Sequence, residues 1–266
     1  MRYIFNDLDK IKRKLVGKYI FLFLDCDGTL TPIVDTPDKA IIPPDTKKIL
    51  NLLSQKNNCR IAIISGRVLV DIKKKVGLKN IIYSGNHGFQ IEGPKINHEI
   101  AVPLDYKKIL ERIKIKLEER LFGIKGVFVE DKKISLALHY RLANRKQVPF
   151  IKTVFHESII LYLVRNKIKI RPGKEILEVM PPVHWDKGKI VLWLLARQEA
   201  LSKNGRNIPI YIGDDATDED AFKALKNRGL TVFVGNANSS QAKYYVRNVK
   251  EVYELLKYIL DIQNIK

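Results

Sequence analysis

Only two cysteines occur among the 266 residues, too few for a disulfide framework. Cys26 falls near the end of one predicted strand and Cys59 just before another. If those strands are parallel neighbours, the thiols sit roughly 15 Å apart at ~3.3 Å per residue, beyond disulfide reach. Free thiols in a reducing compartment are the expectation. Long apolar runs are also missing. Tyr19–Leu24, the only one near the N-terminus, is far too short to span a bilayer and is not followed by a signal-type cleavage pattern. A soluble, cytoplasmic protein without membrane association is therefore expected. No repeat or low-complexity tract stands out, which speaks against a repeat array or extended disorder. Acidic residues are scarce, 29 against 48 basic ones, for a net charge of +19. The lysines are spread along the chain and rarely interleave with aromatics. We read them as a solvated basic surface that concentrates a phosphorylated substrate, rather than as a nucleic-acid site.

What is present is an alternation of strand and helix signals. Tyr19–Leu24, Arg60–Ile64, Ile81–Tyr83, Ile208–Ile212 and Thr231–Val234 read as strands buried on both faces. Pro43–Lys56, Asp186–Ser202, Asp218–Asn227 and Glu251–Ile262 read as helices between and after them. That order predicts an α/β fold with a parallel sheet covered on both sides. The middle differs: helix Leu104–Leu121, strands Gly126–Glu130 and Lys133–Tyr140, helix Gln147–Val164, then strands Ile168–Arg171 and Glu175–Met180. Pro103 and Pro181-Pro182 punctuate its ends. The reading is a discontinuous core, 1–102 and 182–266, interrupted by an α+β domain at 103–181.

Four segments carry chemistry. D-C-D-G-T-L, Asp25 to Leu30, follows the first buried strand, and ligands bind beyond the carboxyl ends of such strands. Asp25 can accept a phosphoryl group as an acyl phosphate, and Asp27 can protonate a departing alkoxide and then deprotonate water. Thr29 can turn a hydroxyl and an N–H toward an anion. Two carboxylates alone repel a phosphate dianion, so a cation such as Mg²⁺, which favours oxygen donors, is implied. G-D-D-A-T-D-E-D, Gly213 to Asp220, sets a second acidic cluster at a strand end, with Asp214 as first choice of metal ligand and Asp215 and Asp218 as ligands or their supports. N-capping of the next helix by Thr217 or Asp218 is the competing role. S-G-R, Ser65 to Arg67, can offer a hydroxyl and N–H groups to phosphate. W-D-K-G-K, Trp185 to Lys189, supplies a lysine able to neutralise phosphate and Asp25 together.

In this order the segments resemble the haloacid dehalogenase superfamily, whose four signatures match Asp25/Asp27, Ser65, Lys187 and Asp214/Asp215/Asp218. The resemblance implies that Asp25 is the nucleophile and that Asp27 is the acid/base, with its backbone carbonyl on magnesium. It also selects Lys187 over Lys189. Asp at position 27 resembles the phosphatase branch, and the insert resembles the α+β cap of sugar phosphatases. G-N-H-G at Gly85–Gly88, L-A-L-H-Y-R at Leu136–Arg141 and G-K-E-I-L-E-V at Gly173–Val179 are similar to trehalose-6-phosphate phosphatases, with coverage from about Tyr19 to about Val234. That resemblance implies hydrolysis of trehalose 6-phosphate with Mg²⁺, and a trehalose-phosphate synthase as a candidate partner.

By the same resemblance Glu130, Lys132, Lys174 and Glu178 would reach sugar hydroxyls from cap strands. Glu130 and Lys132, and Lys174 and Glu178, lie an even number apart, so each pair shares a strand face. Cross-strand salt bridges on a solvated face are the alternative. Asn86 and His87 in their Gly-flanked loop, together with Gly66 and Arg67, are further candidate substrate contacts, and Arg141 is another. His139 is expected to pack or hydrogen-bond within the cap. Met180 stands where the family commonly has a basic residue, which bears on which sugar phosphate fits. Sucrose 6-phosphate and phosphorylated mannosyl- or glucosylglycerate are the alternative substrates. A nucleic-acid-binding or regulatory protein on the same fold is the alternative of another class.

Overall fold

The computed structural model describes residues 1–34, 36–173, 175–201, 207–236 and 240–265. In chain order, the first stretch carries β1 (Arg2–Tyr3), α1 (Leu8–Leu15), β2 (Ile20–Leu24), α2 (Pro44–Ser54), β3 (Cys59–Ile64), α3 (Leu69–Val76), β4 (Ile82–Gly85), β5 (Gln90–Gly93) and β6 (Ile96–Glu99). The middle carries α4 (Tyr106–Arg120), β7 (Phe128–Asp131), β8 (Leu136–His139), α5 (Val148–Val164), β9 (Lys169–Gly173) and β10 (Ile176–Met180). The last stretch adds α6 (Lys187–Leu201), β11 (Ile208–Gly213), α7 (Glu219–Leu225), β12 (Leu230–Val234), β13 (Tyr244–Val246) and α8 (Val249–Gln263). The chain divides into two compact units, residues 1–99 with 185–266, and residues 100–184.

In the first unit one sheet runs β1-β13-β12-β11-β2-β3-β4-β5-β6. Pairing is parallel from β1 to β4 and antiparallel through β5 and β6. Alternation along each central strand sends residues to two different cores. Ile20, Leu22 and Leu24 of β2, Ile61 and Ile63 of β3, and Ile210 and Ile212 of β11 pack with residues of α1, α2, α3 and α8. Phe21, Phe23, Ala62, Ile64 and Tyr211 face the other way, onto α6 and α7. This is why β2 reads as an unbroken apolar run: both of its faces are buried. Reading short apolar runs finds the central strands but not the edges. β1 has two residues, and the β5–β6 hairpin mixes polar with apolar residues.

The second unit has its own sheet, β7-β8-β10-β9, antiparallel throughout, with Leu136, Leu138, Leu177 and Val179 packed on α4 and α5. The strand expected over Lys133–Tyr140 is shorter, because Lys133 has φ +70° and belongs to the turn before β8. A second correction concerns the pairing of Lys174 with Glu178. Gly173 ends β9, Glu175 has φ +63°, and Ile176 opens β10 opposite Gly173, so the chain reverses between β9 and β10 and a parity count does not run through to Glu178. Lys174 itself lies outside the described residues, as does Ser202 at the end of the helix expected to reach it.

Phe155 of α5 is fully buried in the second unit's core. Phe155→Ala should cost about 3–5 kcal/mol. Urea unfolding reads this as a lowered midpoint, and a cost under about 1 kcal/mol would show that α5 does not hold this core.

Candidate active site

The chemistry-bearing segments converge at the carboxyl edge of the parallel sheet in the first unit. β2 ends at Leu24, and the Asp25 N–H donates to the Ile212 carbonyl at 3.0 Å, tying the first acidic loop to β11. The next residues fold into a tight loop in which the N–H groups of Leu30 and Thr31 donate to the Cys26 carbonyl at 2.8 and 3.0 Å. Gly28 turns there with φ +87°, and a Cβ at this position would overlap the Asp214 carboxylate. Gly213 ends β11 for the same reason, since a Cβ there would overlap the Asp218 carboxylate. The two glycines let three carboxylates crowd together.

Asp25, Asp214 and Asp218 are all buried, and each offers an oxygen within 4.8 Å of the others. Lys187, the first residue of α6, places Nζ 2.7 Å from Asp25 Oδ1 and 2.7 Å from Asp218 Oδ1. Tyr211, three residues before Asp214, donates its hydroxyl to Asp218 Oδ1 at 2.6 Å. One ammonium faces three carboxylates, leaving an excess of two negative charges out of water. Burial alone would lower the Lys187 pKa, but Asp218 and Asp25 hold it well above its usual value. The surplus falls on Asp25. Burial drives its carboxyl well above the ordinary range, Lys187 pulls the other way, and Asp218 and Asp214 add to the rise. Burial and Asp218 likewise push the Tyr211 phenol well up, so it stays a donor. Three converging carboxylates, all hard oxygen donors with a net charge near −2, fit a divalent cation, whose charge would restore an ionised Asp25.

The other expected site residues divide. Asp27 carries its carboxylate away from this cluster into a two-point contact with Arg67, Nε to Oδ2 at 2.7 Å and Nη2 to Oδ1 at 2.6 Å. Arg67 also donates to Asp71 Oδ2 at 2.9 Å. Burial works against its charge, yet these two carboxylates keep its pKa raised. Asp215, expected among the metal ligands, does not join the cluster: its Oδ1 accepts from the Ala216 N–H, and its own N–H donates to Asp218 Oδ2 at 2.9 Å, in a reciprocal cap of the turn that follows. That hydrogen bond holds Asp218 against Lys187. Thr29 Oγ1 points to Asp214 Oδ1 at 3.4 Å.

Ser65 is buried directly after β3, where its Oγ accepts the Arg67 N–H at 3.1 Å. Asn86 and His87 follow β4 in consecutive left-handed conformations, φ +50° and +55°, and are pinned by their N–H groups to the carbonyls of Arg67 and Ser65. Such backbone costs about 1–3 kcal/mol per residue and gathers at functional positions. Asn86 Nδ2 donates to Gln90, while its buried Oδ1 has no partner among the described residues. The ring of His87 lies against Gly66, where any Cβ would meet it.

Glu130, Lys132 and Glu178 come together in the second unit. Lys132 Nζ lies 3.1 Å from Glu178 Oε1 and 4.0 Å from Glu130 Oε2, and Ser135 Oγ donates to Glu178 at 2.6 Å. His139 Nε2 is 2.8 Å from Glu130 Oε2, with Phe128 stacked on its ring. Burial opposes the Glu130 charge, but His139 and Lys132 hold its pKa below the usual value. Arg141 sits 3.7 Å from Glu175. Sequence reading missed Tyr211, Ser135 and the Asp27–Arg67–Asp71 chain. The signal for Tyr211 was present, since it is a polar-tipped residue inside an otherwise aliphatic strand three positions before Asp214.

Comparison with known proteins gives a consistent answer. The family model described as trehalose-phosphatase matches residues 23–250. Trehalose-phosphate phosphatase B of Arabidopsis thaliana is 32% identical over 268 residues, covering 96% of this chain and 70% of that protein. A trehalose-phosphate phosphatase of Mycobacterium tuberculosis is 36% identical over 228 residues, and there the match spans 83% of this chain but 55% of the relative's length. The solved C-terminal domain of a C. albicans trehalose-6-phosphate phosphatase is 27% identical, covers 96% of both chains and superposes with a TM-score of 0.80. The fold is shared with haloacid dehalogenase-like hydrolases.

Two substitutions test the packing of the site. Gly213→Ala forces Asp218 away from Lys187 and should lower turnover on the order of 10²-fold. Tyr211→Phe removes one buried hydrogen bond and should destabilise the fold by about 1–3 kcal/mol in urea unfolding. If Gly213→Ala keeps the full rate, the crowding of carboxylates is irrelevant to catalysis.

Proposed function

This chain belongs to the trehalose-phosphatase family, and we propose that it hydrolyses trehalose 6-phosphate to trehalose and phosphate through an aspartyl phosphate formed on Asp25. Its relatives are phosphoric monoester hydrolases, and the observation that carries the reading for this chain is the buried Lys187 bridging Asp25 and Asp218 beside Asp214. An Asp25 oxygen bonds to phosphorus as the bond to the sugar C6 oxygen breaks, and Asp27 gives that oxygen a proton. Water then attacks phosphorus, the bond to Asp25 breaks, and Asp27 takes the proton. Lys187 offsets charge on Asp25 and the phosphoryl oxygens, held in place by Asp218, which is in turn fixed by Tyr211 and the Asp215 N–H. Ser65 and the backbone around Gly66 supply hydrogen bonds to the phosphoryl group.

We assign the cation to magnesium, held by Asp25 and Asp214 with the residue 27 carbonyl. An all-oxygen donor set with one or two carboxylates suits it. When bound, it neutralises phosphoryl charge and keeps Asp25 ionised. Asp27 must leave its two hydrogen bonds with Arg67 to reach the leaving oxygen, so Arg67 positions the acid/base.

Residues 1–99 with 185–266 would then be the catalytic core and residues 100–184 the specificity domain. In the latter, the Glu130, Lys132 and Glu178 network would bind sugar hydroxyls. In the core, the buried Asn86 Oδ1 and the His87 ring are the groups that would touch the sugar. The free, buried cysteines fit a reducing compartment such as the cytoplasm, with a trehalose-phosphate synthase as supplier of substrate and candidate partner. Among the described residues, no helix is long and apolar enough to cross a membrane.

Phosphate release from trehalose 6-phosphate should require magnesium and stop with chelator. It should fall by at least about 10³-fold in Asp25→Asn, whose isosteric side chain leaves the packing unchanged. Wild-type rates in Asp25→Asn would refute the chemistry. A preference over sucrose 6-phosphate of less than tenfold, about 1.4 kcal/mol, would refute the substrate.

A further inference from the structure

At the opposite edge of the same sheet lies a cavity of about 290 Å³. Its charged lining is Arg60, Lys95 and Arg197, with no carboxylate among the lining residues, and its apolar wall includes Phe21, Ile82 and Leu194. None of these three cations is paired with a carboxylate among the described residues. The guanidinium groups are oriented by hydrogen bonds to the fold, Arg60 half-buried and Arg197 exposed. Arg60 donates to the Gln198 side chain and, at 3.2 Å, to the Pro94 carbonyl, while Arg197 donates to the Lys95 carbonyl at 2.9 Å. Both carbonyls belong to the two-residue turn between β5 and β6, where Gly93 pairs with Ile96. Gln198 is itself only 9% exposed, so Arg60 is fixed within the fold. Each guanidinium has five N–H donors, and these contacts use few of them. Arg197 also lies 5.8 Å from the Trp193 ring centroid.

A solvated lysine surface does not account for this arrangement, because two arginines are oriented by one turn around a cavity with an apolar wall. We propose that this cavity is an effector site for a small organic dianion with an apolar body, distinct from the catalytic cluster. The catalytic edge is far away but mechanically connected. Asp25 directly follows β2, four residues beyond Phe21, roughly 13 Å at ~3.3 Å per residue. Lys187 and Arg197 are ten residues apart along α6, roughly 15 Å at 1.5 Å per residue. The elements that lead to the nucleophile and carry its ammonium partner therefore both line this cavity. A ligand that shifts either end bears on the Asp25–Lys187 contact, and the coupling is reciprocal in binding.

The probe is phthalate, whose paired carboxylates match two guanidinium groups and whose ring matches the Phe21 wall. Isothermal titration calorimetry should show phthalate binding to the wild-type chain and to Asp25→Asn alike, and at least tenfold weaker binding to Arg60→Gln/Arg197→Gln. Saturating phthalate should change wild-type turnover of trehalose 6-phosphate, or of any phosphate monoester the chain hydrolyses, by at least twofold and leave the double variant unchanged. Without phthalate the double variant should turn over at the wild-type rate. If it fails to fold, Arg197→Gln alone, whose side chain is exposed, gives the same comparison. No phthalate binding, equal binding in the variant, binding lost in Asp25→Asn, sulfate binding as tight as phthalate, or a rate change below twofold would each overturn the proposal.

Discussion

One lysine against three buried carboxylates is the constraint around which the rest is arranged. Lys187 reaches both Asp25 and Asp218 at 2.7 Å, and Asp214 shares the same space. Isolated buried charges are costly, and a surplus of like charge is costlier still. Such a cluster persists only where hydrogen bonds fix each member and a ligand of opposite sign completes it. Tyr211 and the Asp215 N–H fix Asp218, while a divalent cation and the phosphoryl group would complete the balance. The same surplus explains why Asp25 by itself is pushed toward its neutral form, and why cation binding and nucleophile activation would be one event.

The sheet makes this crowding possible. Parallel pairing of β2 with β3 and β11 brings residues 25, 65 and 214 to one edge, although they lie far apart in sequence. Apolar alternation on both faces anchors the strands in two cores, so the loops beyond them can carry polar groups at fixed positions. Gly28 and Gly213 remove the side-chain atoms that would keep the carboxylates apart. The opposite edge carries the starts of the same strands, and there the lining is cationic.

Much of this is legible in the sequence, for identifiable reasons. Central strands buried on both faces appear as short unbroken apolar runs, and acidic clusters directly after such runs mark a strand-end site. Asp25, Ser65, Lys187, Asp214 and Asp218 emerge this way or through the family resemblance. For Asp215 the sequence leaves ligand and supporting roles open, because a capping carboxylate and a ligating one look alike in one dimension; folding shows its carboxylate on the Ala216 N–H and its own N–H supporting Asp218. A parity count toward Glu178 is not legible because Glu175, with positive φ, lies in the reversal between β9 and β10. Tyr211 and the Asp27–Arg67 contact escape because these roles depend on partners seven and forty residues away, brought together only by folding.

The proposed catalysis on Asp25 calls for a cation to complete the acidic cluster. Anomalous diffraction from crystals soaked in Mn²⁺, which takes the same oxygen donors as magnesium, tests this directly. The predicted result is a peak about 2.0–2.2 Å from carboxylate oxygens of both Asp25 and Asp214. A fully occupied manganese elsewhere, with Asp25 and Asp214 uncoordinated, would contradict it.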